Sequence, residues 1–149
     1  MIAYQHKDLS TMQQTLCIIK PDGIKRNLIG DITSMIEKTG FKIVGAKMLH
    51  MSPEQARLFY IVHKERPFYQ ELVDYMMSGP VMVYALHADN AVARFRDLIG
   101  HTDPKQASDN TIRKVFGISI EANTVHGSDS DSNAAGEIGF FFHPSDIVF

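Results

Sequence analysis

The sequence contains little that would assign it to a secreted or membrane-bound class. Its 149 residues include a single cysteine, Cys17, so an internal disulfide bond cannot form. No run of about 18 apolar residues is present, and the opening residues lack the apolar segment of a signal peptide. Cys17 lies in a short apolar run, where it is interpreted as a small core residue. These absences predict a cytoplasmic protein in a reducing compartment.

The sequence also has no large excess of positive or negative charge, since 21% of the residues are charged and the formal net charge is only -2. The protein therefore has no overall positive field, which argues against nucleic acid as the main partner. With 44% hydrophobic residues, the composition is typical of one globular domain. We expect this domain over residues 14–149, preceded by a flexible extension over residues 1–13. Recognition of phosphate would then depend on a few placed Lys and Arg side chains.

The common nucleotide and metal motifs are missing as well. There is no phosphate-binding loop of the G-x-x-x-x-G-K-[ST] type, no G-x-G-x-x-G after a strand, no H-E-x-x-H and no cysteine pair. Their absence excludes phosphate binding by a glycine-rich loop and predicts no dedicated metal site.

Apolar periodicity indicates an alternation of strands and helices. Strands are predicted over 15–19, 41–51, 81–86 and 124–126. Stripes of apolar residues three and four apart predict helices over 29–40, 53–60, 68–77, 90–99 and 131–142, with a helical turn over 111–116. Ser52 and Gln55 form a capping box at one helix start, and residues 20–23 are interpreted as a turn.

This order of elements predicts an α+β fold of the ferredoxin-like βαββαβ type. The expected core is a four-stranded antiparallel sheet with helices on one face and additional helices inserted. Two connections, 101–110 and 116–123, are long for loops without a function. We expect them to lie at the same end of the molecule.

His126 has the surroundings that most favour covalent chemistry. Gly127 leaves room beside the imidazole, and Glu137 follows on a predicted helix. A largely neutral imidazole can attack phosphorus, and a carboxylate on its other side would orient the ring. The alternative is a structural histidine, which is the more frequent role of a lone histidine.

Three cations and one aromatic residue leave similar alternatives open. Lys20, Arg96 and Arg113 could converge on a triphosphate, although each taken alone is more often a surface residue. Phe68 is either the first core contact of its helix or a platform on which a base stacks.

Six segments together resemble the nucleoside diphosphate kinase family. They are Ile19–Gly23, Glu65–Phe68, Ser78–Val81, Gly100–Pro104, Thr111–Arg113 and Asn123–Asp129. The resemblance extends from about Thr15 to Phe142, and the Asn-x-x-His-Gly-Ser-Asp segment is highly specific.

The resemblance implies a ping-pong exchange of the γ-phosphate between a nucleoside triphosphate, mainly ATP, and a nucleoside diphosphate. His126 would be the phosphorylated nucleophile, oriented by Glu137, with Ser128 supporting that carboxylate. Tyr60 and Lys20 would lie beside the transferring group. Mg²⁺ would arrive bridging the β and γ phosphates, and Asp129 would contact it only through water.

The resemblance also assigns the nucleotide-binding residues. The phosphate-binding positions are Arg96, Thr102 and Arg113, and the positions that hold the sugar 3'-hydroxyl are Lys20 and Asn123. Phe68 would stack on the base, with Leu72 and Ile120 completing its apolar surround. Stacking accepts any base, and the other contacts are to features that all nucleotides share. Both ribo and deoxy nucleotides of every base are therefore expected substrates.

One loop departs from the family pattern. Residues 108–110 read Ser-Asp-Asn where the family commonly has Pro-Gly, in a loop that bears on assembly. A homo-oligomer is expected, with the hexamer favoured over the tetramer.

An inactive nucleotide-binding scaffold is the alternative function, and the complete residue set favours the active enzyme. An RNA-binding module is disfavoured by the aliphatic strands and the charge.

Overall fold

The computed structural model describes residues 12–149. Its strands are β1 (Met12–Ile19), β2 (Lys42–Leu49), β3 (Val81–Asp89) and β4 (Val125–Gly127). Its α-helices are α1 (Pro21–Lys25), α2 (Ile29–Lys38), α3 (Pro53–Phe59), α4 (Tyr69–Met76), α5 (Ala91–Ile99), α6 (Ile112–Phe116) and α7 (Asp131–Phe141). Short 3₁₀ helices span Ile61–His63, Pro104–Gln106 and Pro144–Asp146.

The four strands form one antiparallel sheet in the order β2-β3-β1-β4. Central β1 pairs with β3 along its whole length and with the short β4 near its end, where Ile18 lies opposite His126. The predicted α+β, ferredoxin-like βαββαβ class is confirmed.

Helices cover both faces of this sheet, so the expectation of helices on one face was wrong. Leu16 and Ile18 pack into a core with α3, α4 and α7, whereas Cys17 and Ile19 pack into a second core with α2, α5 and α6. The additional helices therefore bury the second face. This explains why residues 16–19 of β1 form a continuous apolar run rather than an alternating one.

Two boundaries near the start of the chain differ from the predictions. Strand β1 begins at Met12, which pairs with Asp89, so it takes in two residues of the predicted extension. Residues 1–11 of that extension lie outside the described residues. The segment interpreted as a turn is helix α1, because Pro21 starts a helix without needing its missing N–H and Asp22 adds negative charge to the first turn.

Two local predictions are confirmed. Ser52 Oγ accepts from Gln55 N at 3.1 Å and Gln55 Oε1 accepts from Ser52 N at 2.9 Å, which is the complete capping box. The two long loops meet where Asn123 Nδ2 donates to Thr102 O at 3.2 Å. Within residues 12–149, no helix has the length and apolar character needed to span a membrane.

Candidate active site

His126 lies in β4 with one side of its ring held by helix α7. Its Nε2 is hydrogen-bonded to Glu137 Oε1. A carboxylate partner favours the tautomer in which Nε2 carries the proton, so Nδ1 keeps a free electron pair. Both side chains remain partly accessible, at 21% and 18%. The imidazole is therefore held in one orientation, and its Nδ1 has no hydrogen-bond partner among the described residues.

The backbone around His126 is set by close packing. A Cβ at Gly127 would approach Phe95 Cδ1 to 2.9 Å, so only glycine lets β4 lie this near helix α5. On the opposite side, the edge of the Phe59 ring meets the imidazole, with centroids 5.4 Å apart. Ser130 Oγ accepts from Asn133 N at 3.1 Å and caps α7, the helix that carries Glu137.

Tyr60 follows helix α3 and buries a hydroxyl group that has no hydrogen-bond partner among the described residues. Burial raises the pKa of this phenol, and the negative charge of Glu137 raises it further. The hydroxyl therefore stays protonated. A buried donor without a partner is unfavourable in the free protein and is available to a bound ligand.

Lys20 is a buried cation at the end of β1. Its Nζ donates to Asn123 Oδ1 at 2.8 Å. Burial lowers the pKa of this ammonium group to about 8, the positive charge of Arg113 lowers it as well, and Asp22 acts in the opposite direction. Two cations held this close in a buried site create a local preference for an anion.

Arg113, on helix α6, is buried between two backbone carbonyls. Its Nη1 donates to Gly100 O and its Nη2 donates to Val125 O, both at 2.9 Å, while Nε has no partner within residues 12–149. Burial and the positive charge of Arg96 lower the pKa of the guanidinium to about 10. Arg96, whose charge acts on this group, is exposed, and so is Thr102, whose backbone O accepts from Asn123 Nδ2. The guanidinium is thus rigidly held before any ligand binds.

Glycine is required at the turn whose backbone carbonyl accepts a hydrogen bond from Arg113. Gly100 has a φ of +86°, and a Cβ there would lie 2.5 Å from Thr111 Oγ1. The turn brings Gly100 O within reach of Nη1, so the position of the guanidinium depends on this residue.

The aromatic residue predicted as a stacking platform is largely exposed. Phe68 immediately precedes α4 with 47% of its surface accessible, which contradicts a role as a core contact. Leu72 lies one turn further along the same helix and is half-buried. Ile120 is 53% exposed in the loop that follows α6.

His63 is not among the predicted site residues, yet its ring lies between two of them, Tyr60 and Phe68. Its ring is 6.5 Å from that of Tyr60 and 5.4 Å from that of Phe68, measured between centroids. Its position between these two aromatic residues in the sequence was the available signal.

Comparison with known proteins decides the family. The model of the nucleoside diphosphate kinase family matches residues 13–147. The chain is 56% identical over 135 residues to the nucleoside diphosphate kinase of Novosphingobium aromaticivorans, covering 91% of this chain and 96% of that protein. It is 55% identical over 137 residues to the enzyme of Chlamydia trachomatis serovar A, covering 92% and 97%.

The chain belongs to the nucleoside diphosphate kinase family.

Solved structures of this family share the fold. The enzyme of Aquifex aeolicus superposes with a TM-score of 0.90 at 42% identity, covering 92% of this chain and 99% of that one. The enzyme of Halobacterium salinarum in complex with CDP superposes with a TM-score of 0.88 at 36% identity, covering 92% and 91%. The chain is accordingly a phosphotransferase that acts on nucleotides, an activity that generally implies a divalent metal.

Ser128 is buried, and among the described residues its hydroxyl accepts from Leu16 N at 3.2 Å, so its support of Glu137 stays a prediction. In the loop that departs from the family pattern, Asn110 has a φ of +68°. Asparagine tolerates this conformation better than most residues, which explains how the loop turns without the usual glycine.

Proposed function

We propose that the kinase transfers the γ-phosphate through a phosphohistidine at His126. Glu137 holds Nε2, and Nδ1 attacks the γ-phosphorus of a nucleoside triphosphate. The bond to the bridging oxygen breaks, and the nucleoside diphosphate leaves with its electron pair. A terminal oxygen of a second nucleoside diphosphate then attacks the same phosphorus, the P–N bond breaks, and the neutral imidazole is restored. The observation that carries this proposal is the His126–Glu137 pair, which leaves one ring nitrogen free.

The surrounding residues would stabilise the charge that moves during transfer. The unpartnered hydroxyl of Tyr60 and the buried cations Lys20 and Arg113 are donors held in place before substrate binds. Such preorganised donors act more strongly on a transition state than mobile ones, because they need no reorganisation. Arg96 and Thr102 would complete the phosphate contacts from the exposed side.

The nucleoside would bind by stacking and through its sugar hydroxyl. Exposed Phe68 would be the platform, with Leu72 and Ile120 beside it, and Lys20 with Asn123 would hold the 3'-hydroxyl. The relative from Halobacterium salinarum binds CDP, a pyrimidine nucleoside diphosphate. Since neither stacking nor a 3'-hydroxyl contact distinguishes bases or 2'-deoxy sugars, we expect purine and pyrimidine nucleotides of both series to react, with ATP as the main donor.

Mg²⁺ would enter as part of the nucleotide substrate, carried by its phosphates. This ion keeps several waters and commonly binds through substrate phosphates with few protein carboxylates. Asp129, exposed two residues before α7, would contact it only through water. The metal would neutralise phosphate charge.

Assembly and location remain predictions. The resemblance favours a homo-oligomer, a hexamer rather than a tetramer, and a mass from light scattering would distinguish these states. The cytoplasmic location rests on the sequence alone.

A direct test uses the purified protein with ATP, Mg²⁺ and GDP. ATP alone should label the protein with phosphate that is acid-labile and base-stable, as expected of phosphohistidine. Adding GDP should discharge the label and produce GTP. A folded protein that yields neither product would instead be the inactive scaffold.

The Phe68→Ala variant should weaken nucleotide binding by roughly 1 to 3 kcal/mol, since one base would lose its stacking partner. The loss should be similar for ADP, GDP and CDP, and it is measured by binding titration. Unfolding stability in denaturant should change little, because the ring is largely exposed.

Phe149→Ala is the matched control, as it removes an exposed ring at the end of the chain. Its affinities should equal those of the parent protein. If Phe68→Ala instead lost roughly 3 to 5 kcal/mol of stability with unchanged affinity, the ring would be a core contact and the platform role would be refuted.

The low pKa of Lys20 predicts that kcat/KM falls at alkaline pH. In the free protein the ammonium group loses its proton near pH 8. A neutral amine attracts phosphate less, so kcat/KM should decrease by up to about tenfold per pH unit above this value. A pH profile between about pH 7 and pH 9.5 measures the effect.

The Lys20→Met variant tests whether Lys20 is the group whose titration causes the alkaline limb, that is, the fall of kcat/KM above about pH 8. Its kcat/KM should be lower than that of the parent at neutral pH and nearly constant across the same range. A declining limb that persists in Lys20→Met would assign the titration to another group.

Folding stability should change with pH in the opposite direction to kcat/KM. Because the Lys20 pKa is lowered on folding, the unfolded chain binds more protons between about pH 8 and pH 10.5, and the free energy of unfolding rises with pH there.

A further inference from the structure

Asp22 is a nearly buried carboxylate behind the site, and the proposed reaction gives it no role. Only 9% of its side chain is accessible. Tyr75, on α4, donates its hydroxyl to Oδ1, and Thr124 Oγ1 donates to Oδ2 at 2.8 Å. Arg26 forms an ion pair with Oδ2 at 3.6 Å. The carboxylate therefore joins α1, α4 and the segment that leads into β4.

Thr124 is held in a conformation that a β-branched residue rarely adopts. Its φ is +77°, and Val125 N donates across it to Asn123 O at 2.9 Å, which makes a three-residue γ-turn. Backbone strain of this kind persists where surrounding contacts determine it, and it concentrates at functional sites. The side chain is fully buried, and the bond to Asp22 is its shortest hydrogen bond.

The residues on either side of Thr124 belong to the site. Asn123 accepts from Lys20 Nζ, Val125 O accepts from Arg113 Nη2, and His126 comes next. Thr124 O also accepts from Lys20 N at 2.8 Å. Rotation of this turn would therefore displace both cations and the nucleophile together.

We propose that Asp22 is a positioning residue, which through Thr124 and Tyr75 holds the γ-turn that aligns Lys20, Arg113 and His126. The inference rests on the proposed function of those residues. Asp22 also affects the protonation of Lys20. Two charged groups face Lys20: the positive Arg113 from α6, which lowers its pKa, and the negative Asp22 from α1, which raises it. Asp22 therefore keeps the ammonium group protonated to higher pH.

Two variants of Thr124 separate this role from general stability. Thr124→Val removes the hydroxyl and keeps the shape, whereas Thr124→Ser keeps the hydroxyl. We expect kcat for GTP formation from ATP and GDP to fall on the order of 10- to 100-fold in Thr124→Val, as for small displacements of catalytic groups, and to stay within a few-fold of the parent in Thr124→Ser. Equal kcat values in the two variants would overturn the proposal.

Variants of Asp22 test the carboxylate itself. Asp22→Ala should lower kcat at least as much as Thr124→Val does, and the two losses should not add fully, because both variants break the Asp22–Thr124 hydrogen bond. Asp22→Asn keeps an acceptor but loses the charge, so the alkaline limb of kcat/KM should move to lower pH with a smaller change in kcat. Asp74→Asn, the same exchange at an exposed position next to Tyr75, should match the parent.

The outcomes distinguish this inference from the proposed function. A parent protein without a phosphoenzyme would contradict the function itself. A parent that forms one, with Asp22 variants that lose thermal stability but keep kcat and the alkaline limb, would overturn the positioning role alone. If Asp22→Ala does not fold, the Thr124→Val and Thr124→Ser pair still decides the question.

Discussion

The His126→Ala variant is expected to form no phosphoenzyme and to lose turnover on the order of 10⁴-fold or more. The alanine side chain offers no nitrogen to attack the γ-phosphorus, so the covalent route is closed. Nucleotide affinity should stay within a few-fold of the parent, because the proposed phosphate and base contacts come from other residues. Phosphate labelling from ATP, steady-state GTP formation and a binding titration with ADP measure the three quantities.

His50→Ala is a suitable control for the His126 prediction. His50 is exposed after β2, and its Nε2 contacts Met77 O at 2.6 Å, outside the site. Labelling and turnover should be retained in this variant. Residual turnover of His126→Ala near the parent level would remove His126 from the role of nucleophile.

Arg113→Ala is expected to lower kcat by roughly 10² to 10³, as for the loss of one preorganised donor to developing charge. The guanidinium is buried and fixed by two carbonyl contacts, so in the proposed reaction it would stabilise the transferring phosphoryl group without first having to be ordered. Arg113→Lys should recover part of the rate, because it restores charge but not the forked geometry. Steady-state kinetics with ATP and GDP measure both variants.

Arg94 provides a matched control for the structural part of this effect. Its guanidinium also bridges two backbone carbonyls, Asp89 O at 3.2 Å and Thr39 O at 2.8 Å, at the other end of α5. Arg94→Ala should lose stability to denaturant much as Arg113→Ala does while keeping kcat. If Arg113→Ala changed KM alone, the guanidinium would bind substrate and transition state equally.

The sequence predicted the fold class because its signals are local. Apolar spacing in α2, the capping box of α3 and the glycine that ends α5 each depend on residues within a few positions of one another. Helix α1 was missed for the same reason, since the proline that starts a helix is equally typical of a turn. The placement of helices on both faces was also missed, because periodicity does not tell which face of a sheet a helix covers.

For the candidate site, the sequence by itself determined the residue types and the family, through segments such as Asn123–Asp129. Tertiary structure decided their chemical state. Lys20 and Asn123 are 103 residues apart in the chain, and only folding brings them within 2.8 Å and removes the water that would keep the Lys20 pKa at its usual value. The free nitrogen of His126 likewise depends on where α7 packs. Desolvation and orientation arise from distant parts of the chain, so local sequence patterns do not encode them.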